Sequence, residues 1–174
     1  RYFLLSEKPL GNDGDFSRQS FIKRINSNLA NDFGNLVQRV LSFIAKNTNA
    51  IIPQPQQLTM DDQNLLKAAQ DLIAQVREDM EQLAVQKACE HIWRVIAEAN
   101  RYVDSQAPWQ LKKTDPERMQ TVLYVLVEVI RHLAILSSPS ALSFPTLTGM
   151  PYSLEMSFSI KSTVKAAIAL IDRD

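Results

Sequence analysis

The feature that most constrains the fold is a set of apolar residues that recur at helical spacing over roughly seven turns. From Phe21 to Ile44 most of them stand three or four positions apart, as on one face of an α-helix. The set comprises Phe21, Ile25, Leu29, Phe33, Leu36, Val40, Phe43 and Ile44. A β-strand would require alternation at every second residue, so the segment predicts a long amphipathic helix with Ser17 as its N-cap.

Two further helices are predicted after the proline-containing break "NTNAIIPQPQ". The second helix begins at "TMDD", with Thr59 as N-cap and acidic residues in the first turn, where the helix dipole favours them. Its apolar face comprises Leu65, Leu66, Leu72, Ile73 and Val76. The third helix extends from about Val85 to Val103, with apolar residues along one side.

A fourth helix is predicted from "TDPERM" to Leu136, with Asp115 as N-cap and Pro116 at the first helical position. It is apolar on most of its circumference and should therefore be the central helix. Four amphipathic helices with short connections predict an all-α protein, a helical bundle over residues 17–136. Residues 1–16, with turn residues in "LGNDGDF", would form a connector, and the chain opens as though cut from a larger protein.

Residues 137–174 have a different character. The stretch "SSPSALSFPTLTGMP" is rich in proline and serine, and "LEMSFSI" alternates apolar and polar residues as a strand does. A lone strand would have no partner in an all-α chain, so no sheet is expected. We predict a divergent tail in which only the last stretch, "STVKAAIALI", could form a short helix.

The overall composition favours no particular partner. The 19 basic residues balance 19 acidic ones, so net charge alone indicates neither a nucleic acid nor a membrane. The longest apolar run, "VLYVLVEVI", is too short to span a bilayer and contains Glu128. A single cysteine, Cys89, provides no disulfide framework and is compatible with a reducing cytoplasm.

The sequence offers no pattern typical of a catalytic or metal centre. It has no glycine-rich phosphate loop, no paired-histidine spacing and no nucleophile elbow. His91 and His132 are predicted to lie off the apolar stripes as surface histidines, the second of them paired with Glu128 four residues earlier. Cys89 falls on an apolar face, where a small buried residue is expected. No catalytic and no metal-binding residue is predicted.

A polar strip beside the apolar face of the first helix allows two interpretations. Its members, spaced three or four residues apart, are Asn28, Asn31, Asn35 and Arg39. The strip could be a solvated face, or its asparagines could bond to neighbouring loops in the bundle. Alternatively, its amide and guanidinium groups could meet the hydrogen-bonding edges of nucleobases.

The stretch "DSQAPWQLKK" places Pro108 and Trp109 in a connector between two strongly helical segments. The tryptophan could close the end of the bundle, as aromatic residues after a proline often do. It could instead offer a flat face on which an unpaired RNA base stacks. Lys112 and Lys113 would then lie near phosphates, although both are also ordinary solvated lysines.

Three separated motifs strongly resemble the anticodon-binding domain of bacterial methionyl-tRNA synthetases. They are "DGDFS" at 13–17, "INSNLANDFGNLVQR" at 25–39 and "EANRYVDSQAPWQLKK" at 98–113, in the family's order. The opening "RYFLLSE" looks like the segment that leads out of the catalytic half, and the resemblance covers about residues 1–136. The wording "GNDGDFS" and "QAPWQLKKTDPERM" is most similar to the alphaproteobacterial branch.

The resemblance implies a bundle of the class I aminoacyl-tRNA synthetase anticodon-binding type, which reads the CAU anticodon of methionine tRNA. At the matching positions, Asn35 and Arg39 would contact anticodon bases, Trp109 would stack on one of them, and Pro108 would shape the connector. The partners would be this tRNA and an upstream catalytic domain of the same chain, in the cytoplasm, with neither DNA nor a membrane involved. ATP and Mg²⁺ would serve the full-length ligase, and these residues would need no cofactor.

The sequence departs from the family in two respects. The "HIGH"-type and "KMSKS"-type nucleotide-binding signatures are absent, so these residues would position tRNA and would not charge it. After Leu136 the family usually continues into another leucine-rich helix, whereas this tail is divergent or the product of a shifted reading frame. A different class of function also remains open, namely a free-standing helical module for protein interactions with Trp109 as its anchor.

Overall fold

The structure, a computed structural model, describes residues 2–7, 11 and 16–137. All regular structure within these residues is helical, which confirms the predicted all-α class. The segments are α1 (Tyr2–Glu7), α2 (Arg18–Arg24), a π-helical segment (Ile25–Gly34), α3 (Asn35–Asn47), α4 (Met60–Glu81), α5 (Val85–Gln106), α6 (Pro108–Thr114) and α7 (Pro116–Ser137). Most of the turn predicted in "LGNDGDF" and nearly all of the predicted tail, residues 138–174, lie outside the described residues.

The first predicted helix exists over its full length, but its middle is wider than an α-helix. The Asn35 N–H donates to the Ala30 carbonyl, five residues earlier, as in a π-helix. The apolar residues from Phe21 to Phe33 stand at strict intervals of four. In an α-helix, which has 3.6 residues per turn, residues at this spacing would drift steadily around the helix axis and leave one face. A run of wider turns offsets this rotation, so Ile25, Leu29 and Phe33 all stay buried.

The core forms around α7, as its continuous apolar character predicted. This helix packs against α3, α4, α5 and α6, and its buried residues include Val122, Leu126 and Ile130. By length and composition alone α7 could also cross a membrane, but 61% of its most apolar window is buried inside the bundle, as in the core helix of a folded domain. One predicted core position is wrong: Ile73 on α4 is 45% exposed, because the face buried against α5 and α7 is centred on Leu65 and Leu72.

The helix starts follow the local signals in the sequence. Ser17 accepts a hydrogen bond from the Ser20 N–H at 3.3 Å, and Asp115 accepts one from the Arg118 N–H at 3.0 Å. At the start of α4 the Thr59 N–H donates to Asp62 at 2.9 Å. The predicted N-caps Ser17, Thr59 and Asp115 are therefore all confirmed.

Helix α1 packs along α5 and changes the interpretation of one residue in the polar strip. Tyr2 stacks on Trp93 with ring centroids 4.3 Å apart, and the Asn28 amide donates to the Tyr2 hydroxyl at 2.6 Å. An ion pair between Arg24 and Glu7, at 2.6 Å, fastens the same helix. Asn28 thus bonds within the protein and does not belong with an exposed strip. The π-helical turns between it and Asn35 invalidate the 100° rotation per residue on which the strip was predicted.

Candidate RNA-binding site

Two of the predicted site residues meet where α3 approaches the joint between α5 and α6. The Arg39 guanidinium carbon lies 5.4 Å from the centroid of the Trp109 ring, which is within the range of a cation–π contact. Arg39 also donates to the carboxylate of Asp104, on α5, at 2.7 Å. These side chains remain accessible: Trp109 is 43% exposed, and the side chains of Arg39 and Asp104 are 32% and 65% exposed.

The joint itself is a single residue. Ala107 adopts a left-handed conformation with φ of 43°, which ends α5 and starts α6 at the same point. Pro108 is buried at the first turn of α6, where the lack of an N–H costs nothing. The predicted connector is therefore a short helix, because the proline and the reversed backbone of Ala107 start a new helix at once. Trp109 is carried on this helix and not on a loop.

Asn35 lies one turn before Arg39 on α3 and is exposed. The preceding Gly34 is buried. The Asn100 amide of α5 donates to the Asp32 carbonyl at 3.1 Å, which fixes the end of the π-helical segment next to Asn35. An exposed amide and a guanidinium one turn apart can meet the edges of neighbouring bases.

A buried polar network stands behind the joint, and sequence reasoning missed it. The Asp62 carboxylate is fully buried and accepts two hydrogen bonds from Arg118, one of them at 2.7 Å, and a third from the Tyr102 hydroxyl at 2.5 Å. Arg118 also donates to the side-chain oxygen of Gln106, the last residue of α5, at 2.7 Å. The only sequence signal was Asp62 in the first turn of α4, which by itself indicates a cap and not a partner on α7.

The network holds Asp62 in its charged form. Burial opposes ionisation of this carboxyl, but the hydrogen bonds from Arg118, Tyr102 and the Thr59 N–H outweigh that effect and lower its pKa from about 3.8 to about 2. Burial and the bond to Asp62 raise the pKa of Tyr102 above its ordinary range. Asp62 and Arg118 are therefore an ion pair at neutral pH that joins the starts of α4 and α7 to the end of α5.

The low pKa of Asp62 predicts an acid-sensitive contribution to stability. A group whose pKa is lower in the folded state than in the unfolded state stabilises the fold at pH values above its unfolded-state pKa. This stabilisation is lost as the pH falls through its folded-state pKa. The shift from about 3.8 to about 2 corresponds to about 2 kcal/mol, lost between about pH 4 and pH 2. Urea unfolding at a series of pH values, compared with Asp62→Asn, measures it. Equal pH slopes for the two proteins in this window would contradict the assignment.

The histidine predictions need a partial correction. His91 is half-buried, and its Nδ1 lies 2.9 Å from Asp79 on α4, because the α4–α5 hairpin packs the two helices closely at this end. His132 Nδ1 lies 2.8 Å from the main-chain carbonyl of Glu128, while Arg131 forms an ion pair with the Glu128 carboxylate. Neither is a free surface histidine.

Cys89 is buried, as predicted, and burial raises its pKa above the usual value. Within residues 2–7, 11 and 16–137 no group of histidine, cysteine and acidic side chains could hold a metal ion.

The fold and the site define a helical binding module that presents an aromatic face and a guanidinium group at a single-residue joint between two helices. Two family models match the chain. Residues 52–148 match the anticodon binding domain of methionyl tRNA ligase, and residues 1–41 match the class I tRNA synthetases of the methionine type. The chain belongs to the family of methionyl-tRNA ligase anticodon-binding domains.

Relatives and solved structures agree with this family. The methionine–tRNA ligases of Mycobacterium leprae and Rhizobium meliloti are 46% and 48% identical to the chain, over 143 and 139 residues. Each alignment covers 80% of the chain and 27% of the relative. The apo methionyl-tRNA synthetase of Mycobacterium tuberculosis has a TM-score of 0.78 at 42% identity, over 80% of this chain and 29% of that one.

The chain thus spans about a quarter of the length of the curated relatives it matches. Relatives of nearly equal identity come from both Mycobacterium and Rhizobium, so the alphaproteobacterial assignment stays a prediction. The predicted domain boundary at residues 16 and 17 also stays a prediction.

Proposed function

We propose that this chain recognises the CAU anticodon of methionine tRNA and positions that tRNA for aminoacylation by the catalytic domain of the same enzyme. The observation that carries the proposal is the meeting of Arg39 with the half-exposed ring of Trp109 at the α5–α6 joint. This is the chemistry an unpaired RNA base requires: a flat aromatic face, with hydrogen-bond donors beside it.

In the proposed complex each side chain has a separate role. Trp109 stacks on one base of the splayed anticodon loop, with Pro108 holding the start of α6 in place. Arg39 and Asn35 donate to the edges of bases, so they carry the sequence preference. Arg39 is bonded to Asp104 in the free chain, so base recognition exchanges a carboxylate partner for a nucleobase.

The chemical reaction belongs to the whole enzyme. We propose an ATP-dependent, Mg²⁺-requiring ligase of the cytoplasm that joins methionine to its tRNA. In support, a solved structure of the related Mycobacterium tuberculosis enzyme contains methionyl-adenylate, and it shares 42% identity with this chain. The residues described here contribute tRNA binding to that reaction.

Titration of the chain with a methionine anticodon stem-loop, and with the same stem carrying a scrambled CAU, tests the function. We expect a clear preference for CAU and weaker binding as the salt concentration rises. The logarithm of the binding constant should fall with the logarithm of the salt concentration, with a slope of about 0.7 per single-strand phosphate contact. Low salt makes weak binding measurable. Equal affinity for both loops would remove the base-reading role and favour a protein-interaction module instead.

Replacing Arg39 with glutamine is expected to weaken CAU binding about tenfold and to reduce the preference over the scrambled loop, because a shorter, neutral amide replaces the guanidinium fork that can donate two hydrogen bonds to a base edge. The matched control is Arg101→Gln, at an exposed arginine on α5. Both changes remove one positive charge, so fluorescence anisotropy titrations of the two variants separate base recognition from general attraction to phosphate. An equal loss of affinity in both variants would leave Arg39 without a specific role.

A further inference from the structure

We infer that Gln106 is a positioning residue for Trp109, linking the buried Asp62–Arg118 pair to the anticodon-contacting helix α6. The inference rests on the proposed function for its RNA readout. Gln106 itself is not expected to touch RNA. Its role is to fix the direction in which α5 ends, and therefore the place where the tryptophan ring stands.

The first step in the argument is the position of Gln106 in the chain. It is the last residue of α5 and is followed by Ala107, whose left-handed backbone turns the chain directly into α6. Only two residues, Ala107 and Pro108, separate Gln106 from Trp109, with no loop between them. Any movement at the end of α5 therefore shifts the ring, and the same end of α5 carries Asp104, the partner of Arg39.

The second step is the group to which Gln106 is fastened. Its side-chain oxygen accepts a hydrogen bond from Arg118 at 2.7 Å, and the Arg118 guanidinium is held by both oxygens of the fully buried Asp62. The Tyr102 hydroxyl, one helical turn before Gln106, bonds to the same carboxylate at 2.5 Å. The last turn of α5 is thus attached at two points to one buried ion pair, which is itself anchored on α4 and α7.

The third step separates positioning from stability. Removing the Gln106 acceptor leaves Arg118 bonded to Asp62, and Tyr102 bonded to Asp62, so the buried charges stay paired and the fold stays intact. Only the final attachment before the joint is lost. Its effect should therefore appear at Trp109 and in the affinity for the loop, and hardly in unfolding.

The test compares Gln106→Met, which keeps the length and helix propensity of the side chain but removes the acceptor, with Gln106→Glu, which keeps an acceptor for Arg118. Gln110→Met, at an exposed position on α6, is the matched control. The chain is labelled with 5-fluorotryptophan, and the two ¹⁹F resonances are assigned with Trp109→Phe. Trp93 lies on α5 roughly 20 Å from Gln106, as judged from the helical rise per residue, and serves as an internal reference.

We expect Gln106→Met to shift or broaden the Trp109 resonance, to leave that of Trp93 unchanged and to weaken CAU binding about three- to tenfold. Gln106→Glu and Gln110→Met should behave like the unmodified chain. An unchanged Trp109 resonance and affinity in Gln106→Met, or equal changes in the Met and Glu variants, would overturn the inference. If the unmodified chain shows no CAU preference, the proposed function fails, whereas the ¹⁹F comparison, made without RNA, still decides whether Gln106 positions the ring.

Discussion

Replacing Trp109 with alanine is expected to weaken binding of the CAU stem-loop by about 1–3 kcal/mol, or roughly five- to 150-fold. The ring is 43% exposed, so its removal creates no large cavity and the fold should be retained. What is lost is the aromatic face on which we propose that a base stacks. Anisotropy titration at low salt, with circular dichroism as a check on helicity, measures the effect.

Two further variants make this result specific. Trp109→Phe keeps a smaller aromatic face and should retain part of the affinity. Trp93→Phe changes the tryptophan that stacks on Tyr2, away from the proposed site, and should bind the loop normally. Unchanged affinity in Trp109→Ala would contradict base stacking, and equal losses in the Trp93 and Trp109 variants would indicate a general effect on the fold.

Replacing Asp62 with alanine should lower the free energy of unfolding by about 3–5 kcal/mol. The carboxylate is fully buried, and its loss leaves the Arg118 guanidinium, whose side chain is 16% exposed, without the partner that neutralises it. The Tyr102 hydroxyl loses its acceptor as well. Urea unfolding followed by circular dichroism at neutral pH gives the value.

The neighbouring Asp61 provides the matched control, since it lies in the same first turn of α4 but is exposed. Asp61→Ala should change the unfolding free energy by less than about 0.5 kcal/mol. The double variant Asp62→Ala with Arg118→Met should recover part of the loss, because no unpaired charge remains. A loss in Asp62→Ala no greater than that in Asp61→Ala would show that the pair is not a structural element.

The helices could be predicted because their signals are local. Apolar spacing and caps such as Ser17 and Asp115 depend on residues a few positions apart, and the structure confirms them. The central place of α7 also follows from its own sequence, because a helix that is apolar on most sides must be buried.

The features that sequence reasoning missed depend on contacts between distant segments. Nothing near Asp62 in the chain indicates Arg118, and nothing near Asn28 indicates Tyr2, since both pairs form only when helices pack. The π-helical turns likewise accompany long-range packing, since Ile25 and Leu29 are buried in one cluster with Tyr2 and the segment packs against α5. At the candidate site, the family resemblance singled out Arg39 and Trp109, and the structure added Asp104 as the present partner of that arginine.

The single-residue joint at Ala107 has a kinetic consequence. A tryptophan on a flexible loop has to become ordered on binding, and this ordering slows association and reduces affinity. Here the ring is carried on α6, which begins directly after the last residues of α5, so little backbone ordering should be needed on binding RNA. Cognate and altered loops should then associate at similar rates, and the proposed preference for one anticodon should appear as a difference in dissociation rate.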